Sequence, residues 1–140
     1  MSLAAALAPV FVQVALTFVL LFWAGITRVR LVRQGVVKAG DIALRQAKWP
    51  EKATQRINAY ENQLELPVLF YVLMLAAVFA GAMTMALAVL SWLFVGSRVL
   101  HAYVHVTGND LRRRFFLFLA GAIVLVAMWG VFIAGLISGG

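Results

Sequence analysis

Two polar stripes interrupt an otherwise apolar chain. Gln55, Asn58, Glu61, Asn62 and Glu65 recur at helical spacing and, at 100° per residue, cover about 120° of one face. Further on, Ser91, Arg98, His101 and His105 fall within a narrower arc. Carboxylates, amides, a guanidinium and two imidazoles so arranged can hold a polar ligand or relay protons. A charge near the centre of a bilayer costs about 2.5 to 3.5 kcal/mol, so such faces pair with one another or line a wet cavity. Glu65 with Arg98 is the expected pair. A metal site needs three or four ligands and the chain has 2 histidines, so no metal is expected. The chain has no cysteine, which excludes a disulfide, a thiolate metal site and a cysteine nucleophile; thiol chemistry would need a thiol brought by a ligand. No Ser-His-Asp order, phosphate-binding glycine loop or carboxylate dyad stands out.

The elements that carry these stripes are legible from hydropathy. Between Leu66 and Ser97 the sole ionisable side chain is Tyr71. One straight helix over that stretch would be about 48 Å long, well beyond a hydrocarbon core of about 30 Å. It is therefore expected to fold back at the small, helix-weak cluster Ala80, Gly81, Ala82, Met83, Thr84. Such a hairpin sets Glu65 level with Arg98, and brings Asn62 and Asn58 level with His101 and His105. Apolar runs at about 3–27 and 115–137 complete four spans, at about 3–27, 58–81, 84–106 and 115–137. The first run reads as an anchor, because no basic residues precede it and no small-residue cleavage site follows.

With 64% hydrophobic and 12% charged residues and a mean hydropathy of +0.97, the chain reads as one all-α integral membrane domain, a bundle of four transmembrane helices. The net charge of +7 is concentrated. Arg28, Arg30, Arg33, Lys38, Arg45, Lys48, Lys52 and Arg56 fall between spans one and two, and Arg112, Arg113 and Arg114 between spans three and four. By the positive-inside rule both basic loops are cytoplasmic and both termini lie on the other side. That explains most of the basic residues, and nothing resembles a nucleic-acid footprint with interleaved aromatics. The connector, about 28–57, holds the breakers Gly35 and Gly40 and a helix start at Trp49, Pro50, Glu51, from which helix two can begin outside the membrane. Ala76 with Ala80, and Ala77 with Gly81, put small residues at four-residue spacing, which permits close helix approach in lipid.

The stretches NAYENQLELPVLFYV from Asn58 to Val72 and SRVLHAYVHVTGNDLRRRFF from Ser97 to Phe116 resemble the MAPEG superfamily, the membrane-associated proteins in eicosanoid and glutathione metabolism, and are most similar to its short bacterial members. The resemblance implies a four-helix homotrimer in the bacterial inner membrane, with glutathione as co-substrate bound near the cytoplasmic side between subunits. The family pattern on helix two is an asparagine, a glutamate three residues later, and usually an arginine four residues before the asparagine. Asn62 and Glu65 match the first two, with Asn58 in the arginine position; Asn58 and Glu61 also have the spacing, with Thr54 there. Pro67 favours the Asn62 and Glu65 register.

On helix three, Arg98 and His101 are similar to the arginine-to-histidine run of the prostaglandin synthase branch, with His105 where an aromatic is usual and Tyr103 nearby. The resemblance puts the catalytic arginine among Arg112, Arg113 and Arg114, and a further glutathione contact at Arg28 or Arg30. It implies a glutathione-dependent transferase or peroxidase acting on lipophilic small molecules from the bilayer. Two alternatives stand beside it. One is a non-catalytic trimeric binding or scaffold protein without the glutathione contacts; the other is a small transporter or proton relay using Glu65, His101 and His105.

Overall fold

The computed structural model describes residues 1–42 and 48–138, and all its regular structure is helical. Five α-helices, α1 (Leu3–Arg33), α2 (Glu51–Glu61), α3 (Leu66–Phe79), α4 (Met85–Val106) and α5 (Leu111–Ser138), form four spans, because α2 and α3 are two parts of one crossing element, Glu51–Phe79. Arg45, counted above among the basic residues of the connector, lies outside the described residues.

The polar residues at the span ends act as punctuation. Ser2 caps α1, its Oγ accepting from the Ala5 amide at 3.2 Å. Helix α1 does not stop near residue 27, where the apolar run ends, but continues through Arg28, Arg30 and Arg33. Charged residues lower hydropathy without breaking a helix. The stop comes at Gly35, whose φ of +68° places it in the left-handed region; the Gly35 amide donates to Val32 O and that of Val36 to Leu31 O. The same device ends α3. Gly81 has φ +64°, and the Gly81 and Ala82 amides donate to Val78 and Ala77 carbonyls. Thr84 then caps α4 through Leu87 N. The hairpin therefore turns over Ala80–Thr84.

The second span is not one helix over 58–81. It starts at Glu51, just after Pro50, and breaks at a 310 turn, Asn62–Leu64, followed by Glu65 at φ −100°, ψ −105°. Pro67 explains the break: it has no amide hydrogen, and its ring clashes with the carbonyl four residues earlier, that of Gln63. The last span begins at Leu111 and not at 115, because Asp110 accepts from the Arg113 amide at 3.0 Å and makes Arg112, Arg113 and Arg114 part of the first turn of α5. The connector at 28–57 is helical at both its ends, where α1 runs to Arg33 and α2 starts at Glu51.

Inside the bundle, Phe70, Leu73, Met74 and Ala77 of α3 meet Leu87, Phe94 and Val95 of α4 and Leu125, Met128 and Phe132 of α5. Phe70 stacks on Phe94 with ring centroids 4.7 Å apart. Large apolar side chains such as Phe18, Phe22, Leu75, Phe79, Val126 and Ile137 point outward, as lipid contact requires. The tightest helix approach among the described glycines is at Gly121 of α5, where a Cβ would sit 2.7 Å from Ser97 Oγ. This glycine lets α5 close on α4 beside Arg98.

Candidate functional site

Arg98 is the organising residue. It projects from the middle of α4 and is 0% exposed. Its Nη2 donates to the backbone oxygen of Asn62 at 3.1 Å, so the break in the second span supplies the acceptor. Its Nε and Nη1 are buried with no hydrogen-bond partner, and its guanidinium carbon stands 5.9 Å from the Phe118 ring centre on α5. One and two turns further along α4, His101 and His105 are buried on the same face, their rings edge to face at 5.8 Å. His101 Nδ1 and both ring nitrogens of His105 are unpartnered as well.

The expected pairing of Glu65 with Arg98 does not form. Glu65 is exposed, and among the described residues the ion pair present is Arg113 with Asp110, at 3.8 Å. The cause is the kink before Pro67: it turns the Glu65 side chain out of the bundle while directing the Asn62 carbonyl inward. Asn62 takes part through that carbonyl, its side chain donating to Asn58 O at 2.9 Å. Asn58, Glu61 and Tyr103 are exposed in the single chain.

The three arginines opening α5 are not equivalent. Arg112 and Arg113 are exposed, whereas Arg114 is half-buried, with Nη1 on Asn109 Oδ1 at 2.7 Å and Nε buried and unpartnered. Arg114 also lies close enough to His101 and His105 for its charge to act on both. At the end of α1, Arg28 covers the Trp49 ring at 5.7 Å, and Arg30 lines a groove on the outside of α1 that none of the Arg98 group enters. The structure thus gathers Arg98, His101, His105, Arg114 and the Asn62 carbonyl, and leaves Arg28 and Arg30 apart.

A second buried polar contact escaped the reading of the stripes. Gln13, in the middle of α1, is fully buried and donates from Nε2 to Gln63 Oε1 at 3.0 Å; Gln63 in turn donates to Ala59 O at 2.9 Å. The available signal was a lone amide in a 25-residue apolar run, which in lipid calls for a partner on another helix. The contact holds α1 against the 310 turn and so steadies the carbonyl that Arg98 uses. Likewise Arg56 stands over Trp23 at 4.6 Å and donates to Thr27 Oγ1 at 2.9 Å, tying α2 to α1 near the membrane boundary.

Chemically, this is a cation-rich interior with donors to spare and, among the described residues, no carboxylate hydrogen-bonded to them. An unpartnered buried polar group costs on the order of 1–3 kcal/mol, and more if charged. Such an interior is complementary to an anionic ligand rich in acceptors.

Four helices long and apolar enough to span, packed around that interior, define a multi-pass membrane protein with buried cationic and imidazole side chains between its helices. The MAPEG family model matches residues 6–134, and the chain belongs to the MAPEG family. No curated protein and no solved structure matches it.

Proposed function

We propose that this MAPEG protein is a glutathione-dependent transferase or peroxidase acting on lipophilic electrophiles that enter from the bilayer. The observation that carries this reading is Arg98, a fully buried guanidinium with two unpartnered nitrogens beside unpartnered ring nitrogens of His101 and His105. Glutathione supplies what the interior lacks, two carboxylates for the guanidinium and a thiol in a chain that has no cysteine. Arg98, His101, His105 and the Asn62 carbonyl hold the tripeptide.

Arg114 is the residue assigned to the thiol. A free thiol of pKa near 8.5 is ionised to only a few per cent at neutral pH, and lowering that pKa by about two units takes roughly 2.7 kcal/mol of preferential stabilisation of the thiolate. A half-buried guanidinium anchored on Asn109 provides it. In the transferase case the thiolate sulfur forms the new bond to the electrophile, and the leaving group departs with its electron pair. Asn58, Glu61, Glu65, Tyr103, Arg28 and Arg30 belong to the same site if a neighbouring copy completes it, as in a homotrimer. In this reading both basic loops are cytoplasmic in a bacterial inner membrane.

The test is a glutathione titration of detergent-purified protein near neutral pH, followed by thiolate absorbance. The wild type and Arg112→Ala should show a saturable thiolate signal, and Arg114→Ala should lose it while keeping its assembly. Absence of binding by calorimetry at millimolar glutathione would overturn the enzyme reading. It would favour instead the non-catalytic scaffold, for which the support is Asn58 in the position where the family pattern has an arginine.

A further inference from the structure

A thiol that becomes a thiolate between these helices must hand its proton to a base, and Arg114, already a cation, cannot take it. All five Asp and Glu side chains of the chain are exposed, Glu61 and Glu65 included, so none of them is a buried base. The buried groups able to accept a proton are the imidazoles of α4, His101 and His105.

The two histidines differ in what their rings offer. A neutral imidazole carries a proton on one nitrogen and a lone pair on the other. Both ring nitrogens of His105 are buried without a partner, so its lone pair is free in either tautomer; of His101, Nδ1 is in that state. The turn after α4 then returns Arg114 to the level of His105. Asn109, at φ +50°, donates from its amide to the carbonyl of Val104, the residue before His105, at 2.8 Å. Its Oδ1 accepts from Arg114 Nη1 at 2.7 Å, which folds the first turn of α5 back towards the last turn of α4. Of the two buried guanidiniums, Arg114 acts more strongly on His105, and Arg98 on His101.

We propose that His105 accepts the proton of the glutathione thiol, with Arg114 holding the sulfur left behind. This rests on the glutathione reading and adds to it the group that takes the proton. The S–H bond breaks, its electron pair stays on sulfur, and the proton bonds to the free lone pair of the ring. When the sulfur bonds to the electrophile, the leaving group departs with its own electron pair and takes that proton from His105, which restores the neutral imidazole. At the ordinary pKa values, near 8.5 for the thiol and 6.5 for imidazole, the transfer is unfavourable by about 100-fold. The lowering of about two units assigned to Arg114 offsets that factor, and the thiolate between the two cations screens one from the other.

The test counts protons as glutathione binds to the detergent-purified protein at about pH 7.5, where free thiol is mostly protonated and imidazole mostly neutral. Calorimetric titration in two buffers of different ionisation enthalpy gives the protons released, and thiolate absorbance gives the thiolate formed. S-methylglutathione, which has no thiol proton, sets the baseline. In the wild type the thiolate should form with about zero protons released above that baseline, and its fraction should stay nearly flat between about pH 7 and 8, because the proton moves within a coupled pair. In His105→Gln about one proton should leave per thiolate, and the thiolate fraction should rise about tenfold per pH unit below its midpoint, as for a single titrating group. His101→Gln should keep the wild-type proton count. A wild type that releases about one proton per thiolate overturns the proposal, needs no variant to fold, and leaves the glutathione reading standing. A proton count that changes in His101→Gln and not in His105→Gln overturns it as well. Absence of glutathione binding would instead remove the glutathione reading, and the proposal with it.

Discussion

Replacing Arg98 with methionine separates a ligand-binding arginine from a structural one. Methionine keeps much of the side-chain volume and removes the charge. In the ligand-free protein two terms oppose each other. Removing a buried cation recovers about 2.5–3.5 kcal/mol on membrane insertion scales, while leaving the Asn62 carbonyl without its donor costs about 1–3 kcal/mol. With one hydrogen bond made, at 3.1 Å, and two nitrogens unpartnered, recovery equals or exceeds loss. Arg98→Met should therefore unfold at the same temperature as the wild type or somewhat higher.

With glutathione the sign reverses. Two charge-assisted hydrogen bonds from Nε and Nη1 to a carboxylate contribute about 1.5 kcal/mol each at the low end, so their loss weakens binding by at least about 100-fold. The assay is thermal unfolding by tryptophan fluorescence in detergent, with and without millimolar glutathione, and calorimetric titration of both proteins. Glutathione should raise the wild-type midpoint and leave that of the variant unmoved. A variant several kcal/mol less stable without ligand would show that Arg98 is a structural clamp. A variant that binds glutathione as tightly as the wild type would remove Arg98 from the site. Either result refutes the reasoning.

The amide contact between α1 and the break in the second span should behave as a coupled pair. Gln13→Leu alone strands Gln63 Oε1 and destabilises, whereas Gln13→Leu with Gln63→Leu restores most of the loss; the coupling energy in a double-mutant cycle should be about 0.6 kcal/mol, the mean for interhelical hydrogen bonds in membranes. Gly121→Val should lower stability by about 1–3 kcal/mol, since its Cβ alone would come within 2.7 Å of Ser97 Oγ and branched methyls add to the overlap; unchanged unfolding would mean that α4 and α5 do not approach so closely.

What the sequence determined is what local chemistry decides. Four long apolar helices, the hairpin reversal at Ala80–Thr84, and membership of the MAPEG family all follow from properties that add up along short windows, and each is insensitive to a shift of a few ångströms. The ends of the spans were harder to read. Apolarity stops at the membrane boundary, but the helix stops at a capping residue or a left-handed glycine, as Arg28 to Arg33 and Arg112 to Arg114 show by remaining helical. Tertiary structure alone decided the partners of the polar side chains. The hairpin count sets Glu65 level with Arg98, yet the kink set by Pro67 leaves one exposed and offers the other a backbone carbonyl. Three consecutive arginines are alike in sequence, and one is half-buried because the helix presents successive residues 100° apart. Gln13 found Gln63 at a separation of fifty residues. Depth in the membrane is a one-dimensional property and is written along the chain, whereas hydrogen bonding depends on rotation about the helix axis and on separations of a few tenths of an ångström, which are set when the helices pack.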